Sequence, residues 1–394
     1  MGLGISGFEL ASAVSREGGV GTVSGAALDQ ITARRLGKSE RMDLVEATAK
    51  EVADTKEAGG VVSINLMVAV FDSYEDSVQG SVEGGIDMII SGAGLPMKLP
   101  SIVKRHAGTH DHDICLVPIV SSARALKLIC TSWGKQGYRP DAVVLEGPRA
   151  GGHLGWNYKQ VDEAGDRFLE EYDLFDKLLG PVLEVAEAFP NDVGPIPIIV
   201  AGGIYTHQDI VYALEQGATA IQMGTRFAAT EESGASAEFK RAFVEAREED
   251  IALGDKSWGS PCGLPFRYLT TSPLAQKRRE QEKAAEGELH CEMCICTTLL
   301  STIGIDNTTL TKKRQSEGGR PVGCPEQYVK PTLLGKICAA TGKISTDYTA
   351  LFTCGTEVHR VDRIMPVREL MAELIHGVGH RPAHGILHTR ETCR

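Results

Sequence analysis

Residues 197–226, PIIVAGGIYTHQDIVYALEQGATAIQMGTR, decide the architecture. PIIVAGG is a nearly continuous apolar run that ends on Gly202-Gly203. AIQMGTR is a second such run, ending at Gly224-Thr225, and one helix's length separates the two. Runs of this kind predict parallel strands buried on both faces. Strand, helix and strand in that order read as a βαβ unit with a right-handed crossover.

Five earlier runs repeat the pattern: VGTVSG (20–25), VVSINLM (61–67), MIISGAG (88–94), CLVPIVSS (115–122) and AVVLEG (142–147). Amphipathic stretches such as 42–58 and 168–188 lie between them. Most runs end in Gly, Ser or Asn, where small residues let backbone approach a ligand. In a barrel the active site sits at that end of the strands. The expected fold is therefore α/β, a TIM (β/α)₈-type barrel. Seven strands are one short of eight, and the helix near 8–16 has no strand before it, so the first strand is expected to be lacking. A doubly wound open sheet is the alternative, because seven strands need not close.

The chain has 394 residues, with 42% hydrophobic and 24% charged side chains. At ~150 residues per domain this allows two to three domains, or one barrel of ~250 residues with an appendage. The composition excludes a disordered, collagenous or coiled-coil bulk. The net charge of -11 disfavours nucleic acid and anionic membrane as partners. No apolar run approaches the ~18 residues of a membrane span. The start, MGLGISGFELASAVSREGG, has neither the basic head nor the long apolar core of a signal peptide. A cytoplasmic protein is expected. The character changes past residue 254, which suggests a barrel over 1–253, a cysteine-containing cap over 254–376 and a disordered tail over 377–394.

Two strand-end glycine turns side by side match the phosphate site of phosphate-binding barrels, after the seventh and eighth strands. Each pair alone could simply be a turn that needs positive φ. Together, Gly202, Gly203, Gly224 and Thr225 predict a cradle of backbone N–H groups for a phosphate-bearing cofactor. A second site follows AVVLEG. The segment GPRAGGHLG (147–155) carries four glycines in nine residues and His153. That density implies backbone pressed against a ligand, Gly151 included. A lone histidine is more often a packing residue. At the mouth of a barrel, near-neutral titration suits it to exchange a proton with a carbon acid. Asn65 and Glu146 are polar in otherwise apolar strands. Each is either a satisfied core group or a contact to a cofactor at the mouth.

AGGI, QMGTRF and GGHxG together resemble the nitronate monooxygenase (2-nitropropane dioxygenase) family of flavin-dependent TIM barrels. The resemblance runs from Met1 to about Phe266, and more loosely to Leu374. It implies that His153 is the catalytic base toward a nitroalkane, or orients the nitronate. It implies that Asn65, Glu146, Gly151, Gly203, Gln222, Met223, Gly224 and Thr225 hold FMN, with Gly202 adjoining them. Ser260-Pro261 matches a loop near the substrate pocket. The family usually opens with a strand of the type PIIQGGMG, of which Met1-Gly2 resembles the end. Related flavin-dependent enoyl-acyl-carrier-protein reductases share GGHxG and GTRF. Monooxygenases often carry Gln at the position of Glu146, whereas the reductases carry Glu. Arg149 replaces an acidic residue common in both.

Eight of the ten cysteines lie past residue 260. Cys291, Cys294, Cys296, Cys324, Cys338 and Cys354 could hold zinc or an iron–sulfur cluster, or be reduced thiols of a compact cap. Their spacing matches no standard zinc pattern, and no metal site is assigned. The expected function is FMN-dependent oxidation of alkyl nitronates with O₂. The rivals are an NAD(P)H-dependent enoyl-thioester reductase and a non-catalytic barrel that binds a phosphate ligand. In each the partner is a small molecule. The substrate, the nicotinamide requirement and the oligomeric state are not legible.

Overall fold

The computed structural model describes residues 4–68, 71–109, 112–254, 264–273, 275–276, 279 and 350–377. Ser260-Pro261, Cys291, Cys294, Cys296, Cys324 and Cys338 lie outside the described residues, as does the tail past 377.

The chain begins with α1 (Phe8–Arg16), β1 (Val20–Ser24), α2 (Leu28–Arg35), α3 (Leu44–Glu57), β2 (Val61–Met67) and α4 (Phe71–Glu83). It continues through β3 (Met88–Gly92), α5 (Leu99–Ala107), β4 (Cys115–Val120), α6 (Ala123–Gly134), β5 (Val143–Glu146) and β6 (Gly152–His153). Then come α7 (Tyr158–Ala164), α8 (Phe168–Glu171), α9 (Gly180–Ala188), β7 (Ile198–Ala201), α10 (His207–Glu215), β8 (Ala220–Gln222) and α11 (Thr225–Ala228). The last described elements are α12 (Ala237–Val244), β9 (Ile251–Leu253), β10 (Phe266–Leu269) and α13 (Val367–His376).

All seven expected strands form one parallel sheet in the order β1-β2-β3-β4-β5-β7-β8. The order never reverses, whereas a doubly wound sheet reverses at its switch point. The sheet is a curled barrel wall, and β1 and β8 are not paired among the described residues. β3, β4, β5 and β7 alternate between two cores. Val23, Ile64, Ile89, Leu116, Leu145 and Val200 face outward and pack under the helices. Ile90, Val117, Val144 and Ala201 form a smaller cluster on the inner face. Burial on both faces is why these strands read as continuous apolar runs.

Several boundaries differ from expectation. The last strand stops at Gln222, because Thr225 already opens α11. The stretch 168–188 is α8, a π-type turn over Leu174–Leu179, then α9 with a proline in its first turn. Near the end of the described residues, α13 begins only at Val367, after Pro366. Pro366 is extended, and a proline is compatible with the start of a helix but not its interior.

The open side of the wall is braced from outside. Val367 and Met371 of α13 pack on Leu10, Ala13 and Val14 of α1. Leu370 and Leu374 pack on Ile210 of α10, Met223 and Phe227. One helix thus touches the elements flanking both β1 and β8. Near the mouth, Ser24 N–H donates to Ser6 O at 2.8 Å and Gly234 N–H to Ile5 O at 2.9 Å. Lower on the inner side Val20 and Val61 are 43% and 47% exposed.

Candidate functional site

The sheet register sets which side chains share the inner face. Ala201 belongs to the inner cluster, and its ladder partners are Glu146 on β5 and Gln222 on β8. Asn65 lies opposite Ile90, another inner residue. Asn65, Glu146 and Gln222 therefore stand on one concave surface at the carboxyl ends of their strands. Met223 does not join them. Its side chain packs outward with Leu370 and Phe227, so it offers only backbone to the mouth.

The turns after β7 and β8 are built differently. Gly202 and Gly203 are consecutive left-handed residues, at φ 97° and 83°. A Cβ on Gly202 would stand 2.9 Å from Ala150 N, and one on Gly203 2.8 Å from Arg149 Cδ. The conformation and the crowding both demand glycine. The turn is pinned to α10 by a capping box. Asp209 Oδ2 accepts from Tyr205 N–H at 3.0 Å and Thr206 N–H at 2.7 Å, and Asp209 N–H donates to Thr206 Oγ1 at 3.2 Å. The register places Gly202 N–H on the β7–β8 ladder toward Gln222 O, whereas the N–H groups of Gly203, Met223 and Gly224 have no acceptor among the described residues. Gly224 faces open space. Thr225 Oγ1 accepts from Gly355 N–H at 3.0 Å, which leaves its own proton to donate. Free donors beside open space fit the phosphate end of a cofactor.

Arg226 ties the two turns together. Its Nη1 donates to Tyr205 O at 3.2 Å and its Nη2 to Glu373 of α13 at 2.7 Å. The guanidinium lies over the Tyr205 ring, 4.7 Å from the centroid.

His153 is not in a free loop, as expected, but in β6, opposite Phe266 of β10. The small antiparallel sheet β6-β10-β9 stands beside the barrel mouth. The imidazole lies 6.3 Å from the Phe266 ring, and burial pulls it down to about 4, so it is neutral at physiological pH. Burial also pushes the Glu146 carboxyl up to about 7, against the pull of Arg267. Both shifts express the cost of charge in a poorly solvated site.

The glycine-rich segment 147–155 is pressed against protein at Gly151, where a ligand contact was expected. A Cβ on Gly151 would stand 2.5 Å from Cys354 C and Gly355 N. A strap of residues 352–356 makes this contact. It runs along β10 through Leu269 N–H to Phe352 O and Cys354 N–H to Arg267 O, and then reaches Arg149 O through Thr356 N–H. Buried Arg267 locks the same segment, donating from Nη1 to Pro148 O at 2.7 Å and Ala150 O at 2.5 Å. Cys354 is a buried free thiol, pushed up to about 12 by burial despite Arg267.

Arg149, Arg267, Gly355 and Glu357 were not among the expected site residues. Their importance lies in hydrogen bonds to distant segments. The only local hint was Arg149 standing where related chains are acidic.

The chain matches the nitronate monooxygenase family over residues 1–377. It is 32% identical over 184 residues to a nitronate monooxygenase of Pseudomonas aeruginosa, covering 44% of this chain and 48% of the relative. It spans about half the length of the curated relatives it matches. Among solved structures it is similar to FabK from Thermotoga maritima, with TM-score 0.58 and 21% identity over 96% of this chain and 90% of that one. It is also similar to a nitroalkane oxidase from Streptomyces ansochromogenes, with TM-score 0.57 and 19% identity over 96% and 94% of the two chains. At these identities the structural matches establish the shared fold, while the match over nearly the whole chain establishes kinship: the protein belongs to the nitronate monooxygenase family.

Proposed function

We propose that the protein is an FMN-dependent oxidoreductase that oxidises alkyl nitronates with O₂, with His153 as the base that forms the nitronate from a nitroalkane or orients it. The observation that carries this reading is a histidine held neutral by burial, next to a concave strand-end surface bordered by an anion cradle. The backbone N–H groups of Gly203 and Gly224 and the Thr225 hydroxyl would take the phosphate, with Gly202 adjoining them. Asn65, Glu146 and Gln222 line the surface available to the ring, and Gly151 backs it. When bound, the flavin supplies the electron acceptor. The protein's own part is to bind and orient a small carbon acid and to take its α-proton onto an imidazole nitrogen. A neutral histidine can do this, whereas a protonated one cannot. FMN is favoured over FAD because no second, adenine-binding Rossmann motif accompanies the phosphate turns.

Glu146 favours a second reading. A carboxyl raised to about 7 keeps a proton to donate, as a flavin enoyl-thioester reductase requires. The test begins with purified protein, its flavin-band absorbance and the mass of any released cofactor. Oxygen uptake with a nitroalkane and its nitronate is then compared with NAD(P)H consumption on an enoyl thioester. FMN with oxygen uptake supports the first reading, and NAD(P)H-dependent reduction the second. FAD, or no flavin, overturns both.

A further inference from the structure

Arg149 follows Pro148 in the segment that caps the Gly202-Gly203 turn. Its aliphatic stem lies directly on that turn: a Cβ on Gly203 would stand 2.8 Å from Arg149 Cδ and 3.1 Å from Arg149 Cβ. Glycine at 203 therefore makes room for this arginine as well as adopting a left-handed turn. The backbone from which the side chain springs is fixed, because Thr356 N–H donates to Arg149 O at 3.1 Å. The guanidinium is less committed. Its contact with Glu357 is long, 3.7 Å, and its side chain is 44% exposed. Glu357 has closer partners in Thr356 Oγ1 at 3.0 Å and Arg360 at 3.1 Å. A loose, exposed pair of this kind holds an arginine weakly.

The local charge is also unbalanced. Arg149 lies close enough to buried Arg267 that its positive charge adds to burial in lowering that guanidinium to about 10. Glu146, the half-buried carboxyl whose charge would offset Arg267, resists ionisation. The Arg149 guanidinium, the N–H groups of Gly203, Met223 and Gly224 and the Thr225 hydroxyl proton thus border the two strand-end turns, with the Arg267 charge buried behind them. The chemistry that satisfies them is a phosphate monoester, with ~1.5–2 negative charges at pH 7 and three acceptor oxygens.

We propose that Arg149 is the cationic ligand of the cofactor phosphate in this protein, released from Glu357 when the phosphate binds; this rests on the flavin reading above. Arg149 then distinguishes FMN from riboflavin, which shares the ring but lacks the phosphate.

The test titrates flavin-free protein with FMN and separately with riboflavin, following quenching of flavin fluorescence, for wild type, Arg149→Ala, Arg149→Lys and Glu357→Gln. Thermal melts of the flavin-free variants verify folding. Arg149→Ala should weaken FMN about 10–100-fold, the range for a charge-assisted contact, and leave riboflavin within about twofold. Arg149→Lys should recover part of the loss, and Glu357→Gln should hold or tighten FMN. Raising salt should erode the FMN preference of wild type more than that of Arg149→Ala. Equal losses for both flavins would make Arg149 a structural residue and overturn the proposal. Unchanged FMN affinity in Arg149→Ala would overturn it too, while leaving the flavin reading standing. A wild-type protein that binds neither flavin would overturn the flavin reading itself, and the proposal with it.

Discussion

His153 and Glu146 are both driven toward neutrality, and the two shifts act on stability at opposite ends of the pH scale. The folded His153 value, about 4, lies below its ordinary 6.5. The unfolded chain takes up that proton first, so stability falls as pH drops from 6.5 through 4. The folded Glu146 value, about 7, lies above its ordinary 4.5. Its contribution is complete below 4.5 and is lost as pH rises through 7. Urea midpoints across this range should therefore decline less on the acid side in His153→Gln and less on the alkaline side in Glu146→Gln. Profiles parallel to wild type would show that neither group is desolvated. For catalysis, His153→Ala should cut nitroalkane turnover about 10²–10⁴-fold at unchanged flavin content. The loss should be smaller when the substrate is supplied as nitronate, because the proton is already gone. A variant with full turnover would leave His153 only a packing role.

Among the elements, the strap at 352–356 does most to shape the mouth. It fills the space that a side chain at 151 would need, and Gly151→Ala should displace it. The expected cost is about 1–3 kcal/mol by urea unfolding, as for other overpacked sites. The displacement should be visible as faster amide exchange at Gly355 and Thr356. An unshifted midpoint with protected amides would mean that the contact relaxes freely. The strap also marks the limit of what could be read from sequence. The strands were legible because β3, β4, β5 and β7 are apolar on both faces and the others on one, a property carried by their own residues. The Gly202-Gly203 turn was legible because its conformation excludes other side chains. Neither β6 nor the strap carries such a signal. Gly152–His153 becomes a strand only because β10, far along the chain, supplies its partner. Arg267 reads as an ordinary surface residue until its acceptors, Pro148 O and Ala150 O, are known.

For the whole molecule, the decisive element is α13. It packs on α1 beside β1 and on α10 and α11 beside β8, the two sheet strands that do not pair with each other among the described residues. Leu370 is 1% exposed in this contact. Leu370→Ala should cost about 2–5 kcal/mol, the range for a buried leucine. The loss should be spatially two-sided. Hydrogen exchange should quicken in both β1 and β8, while β4, at the centre of the sheet, keeps its protection. Faster exchange confined to α13 would show that the helix merely decorates the wall.

The same brace sets a schedule for biosynthesis. Its partners lie near residues 10 and 210–227, whereas the helix itself begins at Val367. A ribosome moving at about 5–20 residues per second makes β8 roughly 7–30 s before α13. Through that interval the nascent barrel wall carries uncovered apolar surface at Leu10, Ala13, Ile210 and Phe227. Growing chains of this protein should accordingly engage chaperones after the sheet is complete rather than before. Ribosome-arrested chains ending near residue 360 should be cut readily by protease, and the protection should arrive abruptly once α13 clears the exit tunnel.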